Sequence, residues 1–201
     1  MNLLRCVLVL LSTTVTTLCQ SAPQSQQALS LPRQARALVQ SFYRQVVIRK
    51  PGGLPEPADM KIFAPYLSQT LLHRIDLARA CEFDWYRQHP EPDMKPEMAW
   101  LEAGLFSGQN ERTGPGTFQI ERTELEKADS FRVYVRLTGG IPPEKPWIWQ
   151  VAAIVVRENR YLVVDDVIYL KDKDYTTESR LSALLATGCE GSRWVGYRDP
   201  F

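Results

Sequence analysis

The sequence is poor in the residues from which most enzymatic sites are built. It has two histidines and four cysteines in 201 residues, and the histidines stand far apart, so a metal finds almost no ligands. Its 11 glycines form no phosphate-cradling loop, and no Gly-x-Ser-x-Gly elbow occurs. No nucleophile has an evident base beside it, which removes the hydrolase readings. Neither sign of charge dominates, with 24 Lys plus Arg against 23 Asp plus Glu. That balance argues against a nucleic-acid binder and against an acidic disordered tail. No apolar run approaches the ~20 residues of a membrane span. No metal, no cofactor, no nucleic acid and no stable membrane span are therefore expected. What remains is an ordinary folded composition, 44% hydrophobic and 23% charged, in a length that suits one domain.

The N-terminus is an address. Met1 to Arg5 carries one positive charge, Cys6 to Leu11 is a short apolar run, and Ser12 to Thr17 is small and polar. That is the plan of a secretory signal peptide, assigned to residues 1–21. Cleavage falls near Cys19 to Ala22, although Pro23 disfavours a cut after Ala22. Leu18 is bulkier than lipid attachment at Cys19 prefers. Residues 22–29 read as a polar spacer and 30–201 as a single domain, exported to the periplasm or secreted. Export removes Cys6 and Cys19 and leaves Cys81 and Cys189. In an oxidising compartment these two are expected to form a disulfide. The alternative is one buried thiol on a helix and one idle thiol after a helix cap.

Periodicity predicts an α+β chain. Ser30 is placed to cap a helix with Pro32 in its first turn and Ala35, Leu38, Phe42 and Val46 on one stripe. Pro51-Gly52-Gly53 ends it. A second helix is expected from Ser68 to Gln88, with Leu71, Ile75, Ala78, Cys81 and Trp85 inward. His73, Asp76, Asp84 and Arg87 fall on the opposite, solvated face. A short helix is expected over Glu97 to Phe106. Four strands follow, Thr117 to Leu125, Phe131 to Thr138, Trp147 to Arg157 and Tyr161 to Leu170; Lys127 to Ser130 and Glu158 to Arg160 are short enough for hairpins, which makes at least two neighbouring pairs antiparallel. A last helix is expected over Thr177 to Thr187, stopped by Gly188. The fold class is therefore N-terminal helices packed on a curved antiparallel sheet of about four strands, plus a C-terminal helix.

Several residues carry a resemblance. They are the Phe42-Tyr43 pair, the run from Tyr161 to Tyr169, the stretch Glu102 to Gly108, and Gly188-Cys189-Glu190-Gly191. With this order of elements over about residues 30 to 172, the chain resembles the nuclear transport factor two-like superfamily of cystatin-like cones. It looks closest to a branch of secreted bacterial proteins known only as a domain of unknown function. The resemblance implies a cone-shaped domain. It implies little about activity, because the superfamily includes isomerases, dehydratases, transport factors, assembly modules and toxin-related proteins. Such folds often pair through the sheet, which leaves a homodimer open.

Asp166 is the leading candidate for chemistry. Strand alternation after a two-residue turn at Glu158-Asn159 or Asn159-Arg160 puts it on the inward face with Trp149 and Ile168. A carboxylate among apolar neighbours can act as a general base, with Tyr43 as hydrogen-bond donor. The other readings of Asp166 are a structural group near the sheet's end and a ligand contact. Phe42, Trp100, Glu102, Phe106 and Trp149 are candidate ligand-lining residues, although paired tryptophans are commonly core and Glu102 fits a helix surface. Asp172, Asp174, Thr176 and Glu178 alternate like part of a calcium loop but lack its glycine and distal glutamate.

Three functions stay open. One is an exported non-catalytic module holding a small apolar ligand in the cone or a protein partner on the sheet. The second is a small lyase or isomerase using Asp166. The third is an envelope immunity or inhibitor protein.

Overall fold

The computed structural model describes residues 30–91, 93–96, 98–101, 104–108, 114–141, 143, 145–170 and 179–197. The residues read as a signal peptide and a spacer, Glu102 and the acidic run from Asp172 to Glu178 lie outside the described residues.

Helix α1 spans Leu31–Arg49, with proline in its first turn, where a missing N–H costs nothing, and it ends at Lys50 in the left-handed region. Its buried stripe is Ala35, Val39, Phe42, Tyr43 and Val46. A short helix α2, Pro57–Phe63, runs into a 3-10 turn at Ala64–Tyr66. No helix is expected between Gly53 and Ser68 from the periodicity, so α2 and this turn are additions. Helix α3 covers Gln69–Gln88, as its period and cap indicate. The Ser68 hydroxyl accepts from the Leu71 N–H at 2.9 Å and donates to Asp165 at 2.6 Å. One side chain thus caps the helix and fixes it to the sheet.

The sheet has five strands in the order β1-β2-β3-β4-β5, every pair antiparallel. They are β1 Thr117–Lys127, β2 Ser130–Gly139, β3 Trp147–Glu158, β4 Tyr161–Tyr169 and the two-residue β5 Ser179–Arg180. The expected four are therefore present, with a short fifth at the edge. One face of the sheet joins α1 and α3 in the main core, through Val133, Val135, Leu137, Val151, Ala153, Val155, Val164 and Val167. The other face carries a small cluster of Tyr134, Ala152, Ile154 and Ile168. The Arg36 guanidinium donates to the Ile120 and Glu121 carbonyls at the edge strand β1, where the ladder is already broken by a bulge. This blunts an edge that would otherwise pair with another chain.

Two expected helices differ. The described residues between 98 and 108 form turns, not a helix. The C-terminal helix is a single turn, α4 Leu181–Leu184, followed by a two-stranded ribbon of β6 Cys189–Glu190 and β7 Arg193–Trp194. Cys81 and Cys189 are joined, with Cα atoms 6.1 Å apart and 108 residues of separation, so the ribbon is tied to α3. Among the described residues no helix is long and apolar enough to cross a membrane.

Candidate functional site

The sheet face that carries α1 and α3 is filled by the chain's own side chains. Phe42, Tyr43, Trp100 and Phe106 are fully buried and Trp149 nearly so. Phe42 lies 5.2 Å from Tyr43, 5.1 Å from Phe106 and 6.0 Å from Phe63, ring centre to ring centre. These are edge-on and tilted contacts of a packed aromatic core. Trp100 keeps its Nε1–H without a partner among the described residues.

Three polar aromatic tips then converge on one short loop. The Tyr169 hydroxyl donates to the Leu105 carbonyl at 2.6 Å, the Tyr43 hydroxyl to Phe106 at 2.9 Å, and Trp149 Nε1 to Ser107 at 2.8 Å. Three successive carbonyls are thus taken by residues from β4, α1 and β3. Gly108, with φ +71°, lies so close to the Tyr169 ring that an added Cβ would stand 2.4 Å from it. Only glycine fits that approach. Burial pushes the Tyr43 hydroxyl far above the ordinary tyrosine range, and burial followed by the nearby Tyr43 and Asp166 does the same to Tyr169. Both are held as neutral donors.

Asp166 is on the other face. The β3–β4 turn falls at Asn159-Arg160, but the register slips further along: Val155 pairs with Val164 and Ile154 with Asp166, leaving Asp165 as an extra residue. This bulge reverses the alternation beyond it. Val164, Val167 and Tyr169 face the main core, while Asp166 and Ile168 share the face of Ile154, away from Trp149 and Tyr43. The expectation that Asp166 shares an inward face with Trp149 is therefore corrected. Its carboxylate accepts from the Ser182 N–H at 3.0 Å, the Ser182 hydroxyl at 2.7 Å and the Val167 N–H at 2.9 Å, with Arg180 at 3.7 Å. It holds the start of α4 against β4. Asp166→Asn is expected to cost about 1–3 kcal/mol of unfolding free energy, read by urea denaturation, since a donor is left unpaired. A gain in stability would instead mark an uncompensated carboxylate reserved for chemistry.

Asp84 also departs from its expected place. It is buried and accepts from the Trp194 N–H at 2.9 Å and the Gln88 amide at 2.8 Å, with Arg87 in a close ion pair. The Trp194 bond first, then Arg87 and Gln88, hold its carboxyl below the usual range. It clasps the C-terminal ribbon to α3. His73 and Asp76 are exposed, as expected of a solvated face.

The outer sheet face carries matched charges. Glu121 meets Arg136 at 2.5 Å and Gln150 at 2.6 Å, Arg132 forks onto Glu126 at 3.0 and 3.2 Å, and Arg122 lies 3.5 Å above the Tyr134 ring. Ile148 stands exposed on that face at 65%. Among the described residues no group of three or more His, Cys, Asp or Glu is placed to hold a metal. No family model matches the chain, nor does any curated protein or solved structure.

Proposed function

We propose that the protein is an exported, non-catalytic interaction module, built on the nuclear transport factor two-like cone, that meets a protein partner through its outer sheet face. The observation that carries this reading is the pinned loop. Leu105, Phe106 and Ser107 occupy the mouth where a substrate or small apolar ligand would enter, and Tyr43, Trp149 and Tyr169 spend their donors on that loop. The general base that a lyase or isomerase would need is turned away, capping α4. The bridged cysteines fit an oxidising compartment. A mixed-charge face around Tyr134 with Ile148 exposed offers polar rim and apolar contact together. An envelope immunity or inhibitor role is the special case in which the partner is a secreted enzyme.

The test is covalent cross-linking in the periplasm of a producing bacterium, with the captured band identified by mass spectrometry. The same band is expected with the native chain and with Asp166→Asn, and a loss of at least tenfold with Ile148→Asp or Arg136→Glu. Turnover of any substrate that vanishes in Asp166→Asn while the fold persists would overturn the reading.

A further inference from the structure

A groove of about 320 Å³ opens between α3 and the C-terminal segment. Arg74, Leu77, Ala183, Leu185, Ala186 and Cys189 line it. Its size reaches the lower end of small-ligand sites. Alanine at two wall positions leaves the space open. Gly188, left-handed at φ +76°, has the Trp194 ring where a Cβ would be, so close that the added carbon would stand 2.3 Å from it. That turn directs Cys189 back into the groove, onto its bridge with Cys81.

Arg74 is the charged member of the lining. It is half-buried and has no ion pair or hydrogen bond among the described residues. A guanidinium drawn partly out of water beside apolar groups loses hydration without electrostatic return, and an anion supplied from outside restores it. Arginine presents a planar fork that matches a carboxylate at two points. The carboxylate linked to the groove through Ser182 is already occupied. Asp166 accepts both Ser182 donors and lies 3.7 Å from Arg180.

The walls favour an alkyl chain over a polypeptide. The N–H groups of Leu185, Ala186, Thr187 and Cys189 all donate to carbonyls three or four residues back. These four donors are therefore not open to a peptide backbone.

We propose that this groove binds a free medium-chain alkyl carboxylate, its head group paired with Arg74 and its chain lying on Leu77, Leu185 and the Cys81–Cys189 bridge. This site is separate from the outer sheet face, and either can fail without the other.

The test is calorimetric titration of the oxidised protein with sodium octanoate. One saturable site is expected. Arg74→Gln should weaken binding by about tenfold or more, the loss of one charge-assisted pair, with thermal melting unchanged. Ala186→Trp, which adds bulk at an exposed wall position, should abolish it; should that variant not fold, Ala183→Leu serves. Octanol, with a similar chain and no charge, should bind at least tenfold more weakly. No saturable binding, or octanoate binding unmoved by Arg74→Gln, overturns the proposal. So does a peptide with a free aliphatic C-terminus that binds more tightly than octanoate, which would give the groove to a polypeptide.

Discussion

Replacing both Cys81 and Cys189 by alanine is expected to lower the melting temperature by roughly 10–18 °C. The bridge closes a loop of 108 residues. On the chain-entropy model a loop of that size is worth about 4.7 kcal/mol, and each kcal/mol moves the midpoint of a domain this large by about 2–4 °C. The native side adds a local consequence. The C-terminal ribbon is held to α3 by the bridge, by the Trp194 N–H on Asp84, and by a Gln88 contact to the Trp194 carbonyl at 3.3 Å. Without the bridge, the remaining contacts are two hydrogen bonds and the packing of Trp194. Amide exchange at Trp194 should therefore accelerate more than exchange in β2 or β3. Circular dichroism melts of the native and double-alanine chains check the first point. A shift below about 3 °C would show that the bridge constrains little.

The second large effect concerns the loop that Tyr43, Trp149 and Tyr169 hold. Tyr43→Phe together with Tyr169→Phe removes two hydroxyls and leaves the Phe106 and Leu105 carbonyls without those donors in a buried site. Each unsatisfied group costs about 1–3 kcal/mol, so the pair should lose about 2–6 kcal/mol in urea denaturation. Tyr161→Phe is the control, since Tyr161 is 66% exposed and its change should stay within about 0.5 kcal/mol. A double variant as stable as the native chain would mean that packing, not these bonds, holds the loop.

The four long strands were legible because Phe131, Val133, Val135 and Leu137 alternate with polar residues, and the β1–β2 and β3–β4 turns are too short for anything but hairpins. Helix α3 was legible from Ser68 and its apolar period, and the bridge from the expectation that Cys81 and Cys189 remain to pair once residues 1–21 are read as an export signal. Asp166 was misplaced because alternation counts residues, and a bulge adds one. The signal was present in the sequence: two adjacent aspartates, Asp165 and Asp166, interrupt an otherwise apolar strand, and one of them is the extra residue that bonds Ser68. Asp84 was read as solvated because its decisive partner, the Trp194 N–H, lies 110 residues away. The stretch up to Phe106 has the apolar content of a helix. It forms turns because side chains from three distant elements satisfy its carbonyls, which no local pattern can announce. Tyr43 was read as a hydrogen-bond donor to a substrate and Trp149 as a ligand contact; in the structure both donate to carbonyls of the loop, at Phe106 and Ser107.

The measurement closest to the centre of this reading is a pH titration of Tyr43 and Tyr169 with carbon-13 in the tyrosine rings, followed by NMR. Burial raises both hydroxyls above the ordinary tyrosine value near 10. Their contribution to stability is complete below that value. It falls as pH rises above it, because the unfolded chain ionises first, by about 2.7 kcal/mol per pH unit for the two together. Neither ring should therefore shift until the protein unfolds as a whole, and unfolding should begin within a unit or two above pH ~10. If Tyr43 ionises at or below its ordinary value in the folded protein, its hydroxyl faces an open, polar pocket. The loop would then border a site, and the proposal of a non-catalytic module would fall.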